Sequence, residues 1–272
     1  MAERYYYSIA SGSSGNCGLL LLGGARFLID LGVSVRRLTA LLRPFGLTAD
    51  DLDAVLLTHE HVDHIKGLAT FVKRHRVPLY TTIGTAQALL EKFPQAKDHF
   101  RPFYSGASFT VGNVKVSAFP TPHDAADSTG YVLEGGGARF GYATDLGFVP
   151  RPVRAALVGC GTVVLESNHA PDMLREGPYP YALKQRVAGP RGHLSNPDCA
   201  RFAAELAGQG TRQFILSHLS DKNNTPVLAR RQTEAALADV SAGCAVTVAP
   251  KEEMAAPVAL CREEARVCCP SA

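Results

Sequence analysis

Residues 58 to 67 read Thr-His-Glu-His-Val-Asp-His-Ile-Lys-Gly and bring together four potential metal ligands, His59, His61, Asp63 and His64. Apolar residues before this run predict a short strand over 52 to 58, and the apolar spacing after it predicts a helix. The ligands would then lie on a turn at the carboxyl end of a strand. His59 and His61 project to one side, while Asp63 and His64 can serve a second ion. This donor set favours zinc or manganese; a histidine-rich surface turn without metal is the less favoured alternative.

Three further potential ligands follow later segments that are typical of strands. His123 follows residues 114 to 119, Asp145 follows residues 140 to 144, and His218 follows residues 213 to 217. Each of them alone is a weak signal, but their order and strand-end positions make the set specific. Together with the H-x-H-x-D-H run at 59 to 64, the set resembles the metallo-β-lactamase superfamily.

The resemblance implies a role for each ligand and a fold for the chain. His59, His61 and His123 would hold one divalent ion, Asp63, His64 and His218 a second, and Asp145 would bridge the two. Zn²⁺ or Mn²⁺ would suit the site, and such ion pairs activate a water molecule. The implied protein is a hydrolase that needs no Ser or Cys nucleophile. The implied fold class is α/β (α+β), a four-layer αβ/βα sandwich with the metals at one edge.

Composition bounds the class of protein. The 272 residues are 46% hydrophobic with a net charge of +3, which fits a soluble globule and permits a polyanionic substrate without requiring one. The first residues lack the apolar stretch of a signal peptide, and no segment is long and apolar enough to suggest a membrane span. Seven scattered cysteines favour reduced thiols, so we expect a cytoplasmic protein. The oligomeric state is left open.

The pattern predicts one hydrolase domain over residues 1 to 249 and a weakly packed tail over 250 to 272 that carries Cys261, Cys268 and Cys269. Strands are predicted at 6 to 10, 17 to 22, 26 to 30, 52 to 58, 77 to 81, 109 to 111, 114 to 119, 131 to 133, 138 to 143 and 163 to 166. Helices are predicted at 35 to 42, after the ligand run, at 84 to 92, from Pro197 to about Ala207, and from Pro226.

Further features separate the hydrolases that share such a site. Glu166 ends a predicted buried strand, His193 lies in Gly192-His-Leu-Ser195 at a helix start, and residues 217 to 224 surround the last ligand. This set resembles ribonuclease Z. The resemblance implies that Glu166 orients His193, that His193 contacts a phosphate oxygen or protonates the leaving oxygen, and that Asp63 accepts a proton from the water. Without that chemistry, His193 would be a helix-cap residue and Glu166 part of an ion pair.

The match extends to the YycJ (WalJ) subfamily over about residues 5 to 240. It rests on residues 9 to 17, 28 to 32, 59 to 67, 166 to 174, 179 to 181, 192 to 196 and 217 to 226. The subfamily implies a compact bacterial nuclease that degrades DNA from a 5′ end and is linked to mismatch repair. One departure is the position of the acidic residue after Asn168-His169, which here is Asp172. The spacing from Asp145 to His218 leaves no room for an inserted second domain, and no exosite arm for tRNA is recognisable.

Contacts to the substrate are predicted more weakly. Candidates are Lys184, Arg186, Arg191, Ser195 and Asn223. The cations could contact a phosphate backbone or form a solvated basic loop. Residues 11 to 16 could bind phosphate through backbone amides or could simply be a tight connection. Asp30 is expected to brace the metal turn, and His169 is not expected to be a ligand.

Three functions fit these patterns. The favoured one is a two-metal phosphodiesterase acting on nucleic acid, with DNA favoured over RNA, and most specifically a 5′→3′ DNA exonuclease. The second is a small-molecule hydrolase of the same fold, acting on a cyclic phosphodiester or a thioester. The third is a non-catalytic regulatory module. The Glu166 and His193 pair favours the first, and the complete ligand set argues against the third.

Overall fold

Short apolar runs bounded by glycine and other turn residues form the strands of this protein, in a computed structural model that describes residues 4 to 240 and 243 to 262. The strands are β1 (Tyr5–Ala10), β2 (Cys17–Leu22), β3 (Ala25–Ile29), β4 (Ala54–Leu56), β5 (Leu79–Thr82), β6 (Phe100–Phe103), β7 (Ser108–Val111), β8 (Val114–Pro120), β9 (Thr129–Gly135), β10 (Ala138–Ala143), β11 (Thr162–Glu166), β12 (Gln213–Ser217), β13 (Ala245–Val248) and β14 (Val258–Ala259). The helices are α1 (Val35–Leu42), α2 (Val62–Ile65), α3 (Leu68–Arg74), α4 (Ile83–Lys92), α5 (Arg151–Leu157), α6 (Pro171–Glu176), α7 (Tyr181–Ala188), α8 (Asn196–Gly208) and α9 (Pro226–Asp239).

The described strands form two seven-stranded mixed sheets. The first has the order β14-β1-β2-β3-β4-β5-β6, and the second has the order β13-β12-β11-β10-β9-β8-β7. Strands β3 to β6 are parallel, as are β10 to β13. The carboxyl ends of β3 and β4 in one sheet, and of β8, β10, β11 and β12 in the other, carry the predicted site residues.

Apolar side chains form three core clusters, one between the two sheets and one on the outer face of each sheet. The sheets and the helices that cover them therefore form four layers. Phe27, Ile29 and Phe140 belong to the cluster between the two sheets. The first sheet packs its other face on α1, α3 and α4, and the second sheet packs its other face on α5, α8 and α9. The predicted αβ/βα sandwich is confirmed. No helix in the described part of the chain is long and apolar enough to span a bilayer.

Local turn and cap signals correspond to observed element boundaries. Gly136 and Gly137, with φ of 55° and 73°, form the two-residue connection between β9 and β10, a conformation that suits glycine. Ser195 caps α8 through its hydroxyl, which accepts from the Asp198 amide, and Thr225 caps α9 in the same way.

Several elements were not predicted, and each is short. They are β6, β13, β14, α5, α6 and α7. Helix α7 spans Lys184 and Arg186, for which the sequence left open a phosphate contact or a solvated basic loop. Within the predicted tail, Val258–Ala259 pairs with β1 and Leu260 is buried. The boundary at residue 250 stays a prediction, and Cys268 and Cys269 lie outside the described residues.

Candidate metal centre

The seven predicted ligands converge where the carboxyl ends of the two sheets meet. One ligand atom from each of His59, His61 and His123 lies within 4.8 Å of the others, and the same holds for Asp63, His64 and His218. These are the two groups of three that the sequence predicted. Each is the size of a coordination shell around one divalent ion. Their role as ligands stays a prediction, but the structure brings all six side chains together.

Asp145 lies between the two groups. Its Oδ2 is 3.3 Å from His64 Nε2, and its Oδ1 is 3.7 Å from His123 Nε2 and 3.5 Å from His218 Nε2. The carboxylate therefore faces both groups, as a bridging ligand would. Its backbone is left-handed, with φ of 59°, and Asp30 and His218 share this conformation at 61° and 56°.

The left-handed backbone links these three residues to the site. Asp30, Asp145 and His218 are the described non-glycine residues with positive φ, and each follows the end of a strand. Such a conformation costs on the order of 1–3 kcal/mol per residue and is concentrated at functional sites. The fold therefore maintains local strain where the candidate ligands must point inward.

Four of the histidines have one ring nitrogen bonded outward and the other turned toward the cluster. The outer contacts join His59 Nδ1 to Thr58 Oγ1 (3.0 Å), His64 Nδ1 to Asp30 Oδ2 (2.8 Å), His123 Nδ1 to the Gly192 carbonyl (3.1 Å) and His218 Nδ1 to Glu166 Oε1 (3.0 Å). Such outer contacts fix ring orientation in metal sites. Their Nε2 atoms are thereby left for the centre of the cluster.

Asp30 braces the ligand turn, as the sequence predicted. Its carboxylate accepts from the Thr58 backbone amide at 2.8 Å and from the Thr58 hydroxyl at 3.0 Å, besides its contact with His64. Asp30 and Thr58 are buried. The turn therefore leaves β4 in a fixed direction, which sets where His59 and His64 point.

Glu166 is a fully buried carboxylate that accepts four hydrogen bonds. Oε1 is 2.8 Å from His193 Nδ1 and 3.0 Å from His218 Nδ1, and Oε2 accepts from the amides of Leu146 (2.9 Å) and Leu194 (3.1 Å). The contact with His193 was predicted, while the contact with His218 was not. One carboxylate thus orients both a candidate ligand and a candidate proton donor.

Charges in the cluster shift several pKa values. Burial alone would raise the pKa of Glu166, but His193 and His218 hold that pKa well below its usual range. Burial lowers the pKa of His59, reinforced by the neighbouring histidines. Burial opposes the proton on His64 too, yet the carboxylates of Asp30, Asp145 and Asp63 raise its pKa well above the usual value. Burial would raise the pKa values of Asp63 and Asp145, but the neighbouring histidines hold them below the usual range, so both candidate ligands are ionised, as cation ligands must be.

Two buried atoms test whether divalent cations fit here. His59 Nε2 and Asp145 Oδ2 have no hydrogen-bond partner among the described residues, although both are shielded from solvent. Buried polar atoms are rarely left unpaired without a functional reason. Imidazole nitrogens and carboxylate oxygens at the inner face suit Zn²⁺ or Mn²⁺. The residues present therefore fit divalent metal ions.

Most of the predicted substrate residues have partners, and Arg186 and Arg191 lie beside the candidate ligand His123 and its neighbour Asp124. Arg186 donates to Asp124, Arg191 donates to the His123 carbonyl at 2.9 Å, and Lys184 donates to the Arg175 carbonyl at 2.7 Å. Ser195 uses its hydroxyl as the cap of α8, and Asn223 is fully buried. Arg186 and Arg191 are exposed and so remain accessible to a substrate, whereas the burial of Asn223 favours a supporting role.

His169 lies beside Ser195, with which it forms an isolated parallel β-bridge. Its side chain is buried, and its Nδ1 has no partner among the described residues. Burial lowers the pKa of His169 to about 4, so the ring is neutral near pH 7. Its carbonyl accepts from the Asn196 amide at 2.8 Å, which ties this segment to the start of α8.

Sequence patterns did not identify the role of Asn16. Its amide Nδ2 lies 3.1 Å from Asp63 Oδ2 and 3.0 Å from His64 Nε2, and its backbone amide donates to the Asp63 carbonyl at 2.7 Å. Ser11 accepts from the His218 amide at 2.7 Å. The loop over residues 11 to 16 therefore supports the ligands. Asn16 and Asp63 are 47 positions apart, so the sequence carried no local signal for this contact.

Comparison with known proteins gives matches along most of the chain. The family model of the β-lactamase superfamily domain matches residues 25–219. Exodeoxyribonuclease WalJ of Streptococcus pneumoniae is 34% identical over 89% of this chain and 91% of its own, and exodeoxyribonuclease YycJ of Bacillus anthracis is 32% identical over 88% and 91%. The crystal structure of the metallo-β-lactamase fold protein YhfI from Bacillus subtilis superposes with a TM-score of 0.68 at 20% identity, over 93% of this chain and 99% of that one.

Proposed function

The chain belongs to the β-lactamase superfamily, as its sequence predicted, and from that membership we propose that it is a metal-dependent nuclease that removes nucleotides from a 5′ end of DNA. The preference for DNA follows relatives that are named exodeoxyribonucleases. A role in DNA repair, a cytoplasmic location and the number and identity of the ions stay predictions.

The observation that carries this proposal is the contact between Glu166 and His193 beside the ligand cluster. His193 Nδ1 is 2.8 Å from Glu166 Oε1 and 3.6 Å from Asp145 Oδ1, and the His193 side chain is 20% exposed. A hydrolase that relied on metal ions alone would not need this pair. A phosphodiester, whose leaving oxygen is a poor leaving group until it is protonated, gains from an imidazole in that position.

Each residue of the cluster would have a distinct role. His59, His61 and His123 would hold one divalent ion, Asp63, His64 and His218 a second, and Asp145 would face both. Bound ions would supply positive charge to a phosphoryl oxygen and lower the pKa of a water molecule. Asp63, whose side chain is 24% exposed, would accept the proton from that water.

His193 would act on the leaving side. Glu166 occupies Nδ1, which leaves Nε2 as the ring nitrogen that can reach a substrate. Glu166 accepts from Nδ1–H, so a proton on Nε2 can be donated to a phosphate oxygen or to the departing oxygen. Arg186 and Arg191, which are exposed and contact Asp124 and the His123 carbonyl, would contact the phosphate backbone.

The test is digestion of duplex and single-stranded DNA and RNA labelled at the 5′ or the 3′ end, with Mn²⁺ or Zn²⁺ added and with chelator. We expect stepwise loss from the DNA 5′ end that chelator abolishes. His193→Ala should lower the rate by about 10²–10⁴-fold, the usual contribution of a general acid. His75→Ala is the matched control, because it removes an imidazole that pairs with Asp50 beyond the far end of α3.

The outcomes separate the candidate functions. Equal loss of activity in both variants would remove the proposed role of His193. Cleavage of RNA in preference to DNA would retain the nuclease and overturn the choice of substrate. Absence of cleavage in a protein that binds metal would overturn the nuclease and leave a small phosphodiester or a thioester as the substrate class to assay.

A further inference from the structure

His61 is oriented differently from the other four histidines of the cluster. Those four bond outward through Nδ1, which leaves Nε2 for the centre. In His61 it is Nδ1 that lies 3.3 Å from His123 Nε2, so Nδ1 faces the other candidate ligand atoms. Nε2 of His61 therefore faces away from the centre and needs an acceptor of its own.

Asp124 is the acidic side chain that faces this outward nitrogen. Its Oδ1 lies 4.0 Å from His61 Nε2 and 3.5 Å from His123 Nε2, and the same oxygen is buried without a hydrogen-bond partner among the described residues. His123 already uses Nδ1 for the Gly192 carbonyl and turns Nε2 toward the centre, so His61 Nε2–H is the donor that is left for Asp124. A hydrogen bond requires the two atoms to approach by about 1 Å. Both side chains are 29% exposed and so have room to turn.

Arg186 holds the other oxygen of Asp124. The guanidinium Nε donates to Oδ2, so Oδ1 is left on the side of His61 and His123. Arg186 lies on α7, is exposed, and is also a candidate contact for the phosphate backbone. A short chain of contacts therefore runs from the surface cation through Asp124 to a candidate metal ligand.

We propose that Asp124 is a positioning residue that accepts a hydrogen bond from His61 Nε2–H and thereby fixes Nδ1 of His61 as the metal-binding nitrogen, with Arg186 holding the carboxylate in place. This inference rests on the proposed metal-dependent function, since it concerns a ligand of the same site. Asp124 completes the set of outer partners, because the other four histidines already have theirs.

The test uses zinc binding and the imidazole signals of the full-length protein. Zinc dissociation constants are measured by competition with a chromophoric chelator, and His61 Nε2–H is observed by ¹⁵N NMR in the zinc-loaded protein, assigned with His61→Gln. We expect Asp124→Ala to raise the dissociation constant of one bound zinc ion by about 10–100-fold and to abolish the protected His61 Nε2–H signal. Arg186→Ala should raise the dissociation constant of the same ion by a smaller factor. Asp127→Ala, on the same loop, is the matched control and should change neither readout.

Three results would contradict the inference. A His61 whose Nε2 carries the zinc and shows no proton would overturn it, as would Asp124→Ala with wild-type zinc affinity and a wild-type Nε2–H signal. In both cases the wild-type protein still binds zinc, so the proposed function stands. A wild-type protein that binds no zinc would overturn the inference together with the metal site.

Discussion

At the scale of single residues, Glu166 accepts hydrogen bonds from two histidines with one oxygen and from two backbone amides with the other. Glutamine keeps the size of this side chain but presents an NH₂ group where two donors already point. Glu166→Gln should therefore lower the rate of DNA cleavage by about 10²–10⁴-fold, because His193 loses its orienting anion. It should also destabilise the fold by about 1–3 kcal/mol for each buried donor left unpaired. Labelled-DNA digestion and urea unfolding measure the two effects.

Glu205→Gln provides the comparison for Glu166→Gln. Glu205 makes a surface ion pair with Arg154, so its neutralisation should leave the cleavage rate unchanged. A Glu166→Gln protein with wild-type activity would mean that neither His193 nor His218 needs the anion. A loss of stability without a loss of activity would confine Glu166 to the fold.

The residues of the site differed in how far the sequence could identify them. The seven candidate ligands could be proposed from the sequence because four share one short run after β4 and each of the other three follows a strand. Asn16 was not, since it reaches Asp63 and His64 from a loop that is remote in sequence. Asp124 follows a predicted ligand directly, but adjacency alone did not indicate that it faces His61 rather than solvent.

At the scale of secondary structure, elements with strong local signals were predictable and short elements were not. The hairpin of β7 and β8 has Gly112-Asn113 at its turn, and α8 and α9 have a capping hydroxyl followed by proline. In contrast, α5, α6 and α7 have six to eight residues each. Helices this short are marginal alone and depend on tertiary packing. Strand β6 was likewise not predicted, because it contains a proline, which argues against a strand except at the edge of a sheet.

Helix α8 offers a test of whether Ser195 contacts the substrate or only caps the helix. Its hydroxyl accepts from the Asp198 amide at 3.3 Å and donates to Asp198 Oδ2 at 2.6 Å, so both functions of the hydroxyl are used within the helix end. Ser195→Ala should therefore cost about 1 kcal/mol of unfolding free energy and leave the KM for DNA nearly unchanged. Ser34→Ala is the matched control, because Ser34 caps α1 through an equal 3.3 Å contact. A raised KM in Ser195→Ala alone would instead assign Ser195 to the substrate.

At the scale of the whole molecule, the candidate metal centre joins the two sheets. The ligands of the run at 59 to 64 follow β4 in the first sheet, whereas His123, Asp145 and His218 follow β8, β10 and β12 in the second. Each group of three includes residues from both sheets. An ion in either group would therefore link the two halves of the sandwich, and it would also neutralise carboxylates that the fold buries close together.

Metal removal should consequently lower the stability of the entire fold and not only its activity. An ion bound to the native state alone, at a free concentration 100 times its dissociation constant, stabilises that state by about 2.7 kcal/mol. For a chain of this size that corresponds to a rise in melting temperature of roughly 5–10 °C, which calorimetry with and without chelator measures. Asp63→Ala should reduce the rise, because it removes a ligand from one group of three, whereas Asp127→Ala should not. Equal melting temperatures with and without added Zn²⁺ or Mn²⁺ would show that the sheets are held together by their apolar core alone.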